Sequence, residues 1–258
     1  MGICNVTTDS FSDGGIAFKT KDALDHIQSM VKAGATIIDI GAESARPGSD
    51  PITYQKEINR LKPILKKLPK DKFIISIETN KIETQEFALK EGAHIINDIY
   101  GGNDDLFRFT KKFRNGLVLM HTPAPPKIMQ TKTNSYKNVL QDIQTYFRIR
   151  IRQLDKYNIS HKKVWLDPGI GFGKNLFQNL LIIQNINKFR LKNCGLLIGS
   201  SRKSWIKKID NSSVDQRLGG SLASALYALA KGVDILRVHD VFETRQATEV
   251  YKRITCLR

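Results

Sequence analysis

Two sets of polar side chains in this chain carry the residue types that chemistry needs. Glu78, Asn97, Asp167 and Lys203 combine two carboxylates, an amide and an ammonium. A carboxylate accepts two parallel N–H bonds from an amino-amide edge, and an ammonium donates to a ring carbonyl or nitrogen. The set therefore suits a flat heterocycle with donors on one edge and a carbonyl on another. Arg46, Arg237 and His239, with Asn5 at the end of the first apolar run, form the other set. They are the groups a diphosphate and its Mg²⁺ would occupy. A plainer reading stands beside each: Glu78 and Asp167 paired internally with Lys203, and Arg237 with His239 as a salt-bridged rim pair.

The stretch 164–175 shows how such groups are presented. An apolar run ends in Asp167 and passes into Pro168 and three glycines, Gly169, Gly171 and Gly173, before a helical pattern opens at Asn175. Glycines let the backbone approach something flat, and Phe172 supplies an apolar wall. The alternative is a strand-to-helix turn with a capping role and no ligand. The string is neither G-x-G-x-x-G nor a Walker loop, because the glycine spacing is wrong and no Ser or Thr follows Lys174.

The elements that must position these residues follow from periodicity. Short apolar runs at 2–6, 36–41, 73–79, 94–99, 116–121, 163–169, 195–200 and 235–240 alternate with amphipathic segments. Those segments lie near 21–32, 53–67, 82–90, 104–112, 135–157, 176–189, 214–230 and 243–254. Continuous apolar strands mean both faces are covered. Eight β/α units in 258 residues fit a single-domain (β/α)8 TIM barrel, class α/β, spanning 1–258. A doubly wound open sheet would leave two units to explain. Gly34 and Gly92 are expected to close helices, and the proline-rich stretch 122–133 reads as an extended connection. In such a barrel the chemistry sits at the carboxyl ends of the strands, and polar residues stand at all eight of them, among them Asp39, Asp98, His121, Ser201 and Asp240.

Composition excludes several classes. No stretch of about 18 apolar residues crosses a membrane, and the first residues lack a signal-peptide pattern. Three cysteines far apart disfavour a disulfide framework or a zinc site, and five histidines show no ligand spacing. The net charge of +16 raises nucleic acid as a partner. The lysines, however, are spread over helix faces without interleaved aromatics, so we expect no nucleic-acid binding and a field that steers anions inward.

Six motifs in chain order carry a resemblance. The first is Met-Gly-Ile-Cys-Asn-Val-Thr-Thr-Asp-Ser-Phe-Ser-Asp-Gly-Gly from residue 1, and the second Gly-Ala-Glu-Ser-Ala-Arg-Pro-Gly from residue 41. Asn97-Asp98, Asp-Pro-Gly-Ile-Gly-Phe-Gly-Lys from residue 167, Ser-Arg-Lys-Ser from residue 201 and Arg-Val-His-Asp from residue 237 follow. Together they resemble the signatures of the dihydropteroate synthase family, from residue 1 to about residue 253.

The resemblance implies a cytoplasmic, homodimeric, Mg²⁺-dependent transferase of folate biosynthesis and a sulfonamide target. Its reaction joins 6-hydroxymethyl-7,8-dihydropterin diphosphate to 4-aminobenzoate, giving 7,8-dihydropteroate and diphosphate. By resemblance Asn97, Asp167 and Lys203 hold the pterin, with Glu78 at a further pterin position and Phe172 packed in the pocket. Asn5 lies by the diphosphate and Mg²⁺, while Arg46, Arg237 and His239 bind the diphosphate. Ser204 receives the 4-aminobenzoate carboxylate, Phe11 and Pro47 close over that ring, and Asp9 or Asp13 helps organise the attack.

Four departures from the family pattern stand out. Glu78 replaces an Asp, Ala45 a Thr and Thr8 a Pro, and Thr122-Pro-Ala-Pro replaces a Met-Gln-Gly-like run. The chain also begins at its first strand, so we expect either a start upstream or a less covered barrel bottom. A diverged homologue that binds pterin without coupling it is the rival reading. A pterin-dependent methyltransferase would have no use for the anion set.

Overall fold

Alternation along eight short strands decides which residues face the interior. The computed structural model describes residues 1–7 and 16–256. Its strands are β1 (Gly2–Asn5), β2 (Ile37–Gly41), β3 (Ile74–Glu78), β4 (Ile95–Asp98), β5 (Gly116–Met120), β6 (Val164–Asp167), β7 (Gly195–Ile198) and β8 (Ile235–Leu236). They pair in parallel in sequence order. A bridge between Gly2 and Val238 closes the ring, with Ile3 N donating to Val238 O at 3.0 Å. Closure leaves no sheet edge, and the result is the (β/α)8 barrel the periodicity predicts.

Helices cover the outside: α1 (Ile16–Lys32), α2 (Tyr54–Leu65), α3 (Ile82–Lys90), α4 (Asp104–Phe113), α5 (Val139–Lys156), α6 (Leu176–Gln184), α7 (Ser204–Asp210), α8 (Leu218–Ala230) and α9 (Val241–Thr255). Outward strand residues such as Ile38, Ile40, Ile75, Ile77, Ile96 and Leu166 pack against them in the main core. Inward residues Ile37, Ile95, Val118, Leu197 and Ile235 form a separate plug at the barrel's lower end. Burial of this plug leaves only the upper inward positions for polar groups. No helix among the described residues is long and apolar enough to cross a membrane.

The expected helix ends appear where the chemistry puts them. Gly34 and Gly92 adopt φ of 100° and 89°, the left-handed closure only glycine takes without strain. Asn175 caps α6 through a reciprocal box with Gln178. Three elements differ from the periodic reading. The predicted segment 176–189 breaks after Gln184 into a 3-10 turn, Ile186–Phe189, because the Asn185 amide donates back to Leu181 O at 2.9 Å. Segment 214–230 opens with a 3-10 turn, Val214–Arg217, before α8. Helix α7, seven residues long, is too short for a helical period to show. Gly220 of α8 lies so close to α7 that a Cβ there would stand 2.7 Å from Ile206 Cγ2.

Candidate active site

Strand parity brings the predicted polar residues to one mouth. Asp39 and Gly41, Ser76 and Glu78, Asn97, Asp167 and Arg237 share the inward phase of their strands. Asp39, fully buried, is the hub. It accepts hydrogen bonds from Ser76 Oγ at 2.5 Å, Asn97 Nδ2 at 2.9 Å and Arg237 Nε at 2.6 Å. Arg237 Nη2 donates to Glu78, so one guanidinium joins two carboxylates. Burial opposes the Arg237 charge, but Glu78 and Asp39 outweigh it and hold the guanidinium well above its ordinary pKa. Burial pushes the Glu78 carboxyl up, against the pull of Arg237.

The loop after β6 forms a second wall. Asp167 Oδ1 accepts from Gly169 N at 2.8 Å. Gly169 has φ of 71°, and a Cβ there would stand 2.1 Å from His121 O, so glycine is required. Lys174, 3% exposed, donates from Nζ to Gly169 O at 2.9 Å and Phe172 O at 2.8 Å, with His121 O at 3.4 Å. It pins the turn by three carbonyls, and burial lowers its pKa to about 7. Phe172 is thereby held against Ile99, Met120 and Met129, with Ala45 packed on the same cluster. Lys203 Nζ stands 4.4 Å from the Phe172 ring centroid, its pKa lowered to about 8 by burial and by Arg237. Asp167, Phe172 and Lys203 are thus gathered on one wall of the mouth, with the ammonium over the ring.

At the rim His239 meets Ser201. The His239 backbone N donates to Ser201 Oγ at 3.2 Å, and Oγ lies 3.1 Å from His239 Nδ1. A hydroxyl hydrogen donated to Nδ1 would put the imidazole proton on Nε2, whereas an Nδ1–H would donate to Oγ. Removal from water, with the positive charges of Arg237, Lys203 and Arg202, lowers the His239 pKa to about 4. His239 is thus neutral near pH 7.

The structure joins some predicted residues and leaves others apart. Arg237 pairs with Asp39 and Glu78, and not with His239 as the rim-pair reading had it. Lys203 lies over Phe172 without a hydrogen bond to either carboxylate among the described residues. Asn5 and Glu78 flank Gly41, whose Cβ would stand 3.4 Å from Asn5 Oδ1 and 3.5 Å from Glu78 Oε1. Arg46 and Pro47 are exposed on the loop after β2, and Ser204 is exposed at the start of α7. Asp9, Phe11 and Asp13 lie outside the described residues. Sequence reasoning gave no role to Asp39, Lys174 or Ser201. Asp39 had a visible signal, an acid in the inward phase of an otherwise apolar strand.

The pterin-binding enzyme family model matches residues 1–239. The dihydropteroate synthase of Escherichia coli K12 is 40% identical over 252 residues, covering 97% of this chain and 89% of the relative. The chain belongs to the dihydropteroate synthase family. It is accordingly a transferase. The family's Synechocystis member is 36% identical over 254 residues, 97% of this chain and 88% of the relative. The Yersinia pestis dihydropteroate synthase, solved with a sulfonamide drug complex, superposes with a TM-score of 0.92 at 37% identity, over 100% of this chain and 94% of that one. The Xanthomonas albilineans enzyme with 4-aminobenzoic acid gives 0.92 at 31% identity, over 100% and 93%. Within this family the departure at Ala45 is accommodated, since that side chain packs on the Phe172 cluster.

Proposed function

We propose that this chain condenses 6-hydroxymethyl-7,8-dihydropterin diphosphate with 4-aminobenzoate, giving 7,8-dihydropteroate and diphosphate. The whole of 1–258 acts as one domain of a cytoplasmic homodimer in folate biosynthesis. The observation that carries the reading is the adjacency of two unlike subsites: the Asp167–Phe172–Lys203 wall and the Arg237 cation beside it.

Asn97, Asp167 and Glu78 would take the pterin's donor edge, and Lys203 its carbonyl side. Arg237, His239 and Arg46 from its loop would hold the diphosphate. The residues fit Mg²⁺ of the kind that arrives with phosphates: Gly41 leaves a space bordered by the hard oxygens Asn5 Oδ1 and Glu78 Oε1. Asn5 would hold the ion, which when bound would neutralise charge on the diphosphate.

In the reaction the C–O bond to diphosphate breaks and the electron pair leaves with the anion. The residual cation is delocalised into the pterin ring, next to the carboxylates of Asp167 and Glu78. The 4-aminobenzoate nitrogen then forms the new C–N bond and releases its proton to water. Ser204 at the start of α7 would receive the carboxylate of that substrate. The protein's work in this scheme is to hold separated charge in place, without supplying a nucleophile.

Purified protein with Mg²⁺, the pterin diphosphate and 4-aminobenzoate is expected to make dihydropteroate. No product above a no-enzyme control would overturn the proposal.

A further inference from the structure

Glu78 occupies both subsites at once. Its strand neighbours are Gly41 and Asn97, the latter on the pterin side, yet its carboxylate accepts from Arg237 Nη2 on the diphosphate side. With Arg237 Nε on Asp39, only Nη1 of that guanidinium has no partner among the described residues. Of the five N–H groups of the guanidinium, both on Nη1 and one on Nη2 remain, so a phosphate reaches the Nη2 end only beside the Glu78 carboxylate.

We propose that Glu78 is a latch on Arg237, displaced when diphosphate arrives and thereby released to the amino edge of the pterin. The proposal rests on the reading of the site as a pterin diphosphate site. Four features of the structure support it.

First, the latch depends on the Glu side chain that sets this chain apart from the family pattern: an Asp would be shorter by one C–C bond, about 1.5 Å. Second, Arg237 does not need Glu78 to keep its place. Asp39 is fully buried, holds Nε at 2.6 Å, and is itself fixed by Ser76 and Asn97. Third, the strand neighbour Gly41 adds no side chain beside Glu78 Oε1, where even a Cβ would stand 3.5 Å from that oxygen. Fourth, Arg237 already faces two carboxylates, so an incoming diphosphate competes for a cation that is charge-satisfied. The exchange leaves no carboxylate stranded, since the pterin's two N–H groups replace the guanidinium as donors.

The functional consequence is positive coupling. The anion's arrival frees the carboxylate the pterin needs, and by reciprocity the pterin favours the anion. A pterin without diphosphate then meets a pocket whose Glu78 is occupied.

Calorimetry of inorganic pyrophosphate in magnesium buffer, against wild type, Glu78→Asp and Glu78→Gln, tests the latch. Glu78→Asp keeps the charge and removes the reach, so it is expected to bind pyrophosphate about tenfold tighter than wild type. Glu78→Gln is expected to tighten at least as much. With 6-hydroxymethylpterin as second ligand, saturating pyrophosphate should strengthen wild-type binding several-fold and Glu78→Asp binding by less than about twofold. Tightening in Glu78→Gln alone would reduce the effect to general charge and overturn the latch, as would no tightening in either variant. A wild type that makes dihydropteroate while Glu78→Asp fails to tighten sinks the latch alone. The expected tightening without any turnover sinks the proposed reaction and leaves the latch.

Discussion

Arg237 and Asp39 lie 198 residues apart in the chain, and Arg237 Nε donates to Asp39 Oδ2 across 2.6 Å. The contact crosses the barrel interior above β1, between the chain just after β8 and β2. It ties the chain after the last strand to β4, because the same carboxylate accepts from Asn97. The relationship is therefore both a closure of the fold and an alignment of the two subsites.

Asp39→Asn should be costly for that reason. Removing one partner of a buried ion pair leaves an uncompensated charge, typically 3–5 kcal/mol, and Glu78 offsets part of it, so about 3 kcal/mol is expected. For a chain of this size that lowers Tm by roughly 6 to 12 °C. Thermal unfolding measures it, and pyrophosphate affinity should fall in parallel as Arg237 loses its anchor. A Tm within about 2 °C of wild type would mean the carboxylate is not holding the guanidinium.

His121 provides a pH dependence with a definite sign. Its ring is buried edge-on to Tyr146, with centroids 4.9 Å apart, and its Nδ1 has no partner among the described residues. Burial and the charge of Lys174 hold its pKa far below the ordinary value of about 6.5. Below that ordinary value the unfolded chain takes up a proton that the folded chain refuses. Stability is therefore lost as pH falls from about 6.5 toward the much lower folded value. Asp98, with its carboxyl raised to about 6 by burial, works in the opposite direction, so the comparison must be a difference. Urea unfolding of wild type and His121→Phe at pH 6, 5 and 4 should show the wild type losing about 1.4 kcal/mol more per pH unit. Equal slopes would show that His121 titrates as an ordinary imidazole.

Much of this was legible in the sequence because strand ends announce themselves. Glu78, Asn97, Asp167 and Arg237 each close an apolar run, and their inward phase follows from alternation alone. What was not legible is which partner each one takes. Glu78 and Asp167 carry the same functional group at equivalent positions, yet one is bound to Arg237 and the other to the Gly169 backbone. That difference comes from the three-dimensional closure of β8 against β1, which no local pattern encodes. Lys174 has the position of a Walker lysine without the Ser or Thr, and its role escapes the sequence because the side chain folds onto two carbonyls of its own turn and one 53 residues away at the end of β5. Helix α7 is too short to leave a period, and only the family resemblance, which puts Ser204 at a helix start, points to it.

Helix α7 also bears on the oligomeric state. A groove of about 640 Å³ runs between α6, α7 and α8, lined by Phe177, Leu180, Ile209 and Tyr227. Phe177 is 71% and Ile209 60% exposed, apolar surface of a kind monomers rarely gather in one place. If the proposed homodimer uses this face, Phe177→Glu with Ile209→Glu should run at the 29.2 kDa of one chain in sedimentation, and wild type at twice that mass. Trp205 and Ile206 line the groove directly after Ser204. Loosening the interface should therefore disturb the start of α7 and raise KM for 4-aminobenzoate more than KM for the pterin diphosphate. A double variant that stays dimeric would assign the interface to another face. A monomer with both KM values unchanged would separate assembly from the 4-aminobenzoate end of the site.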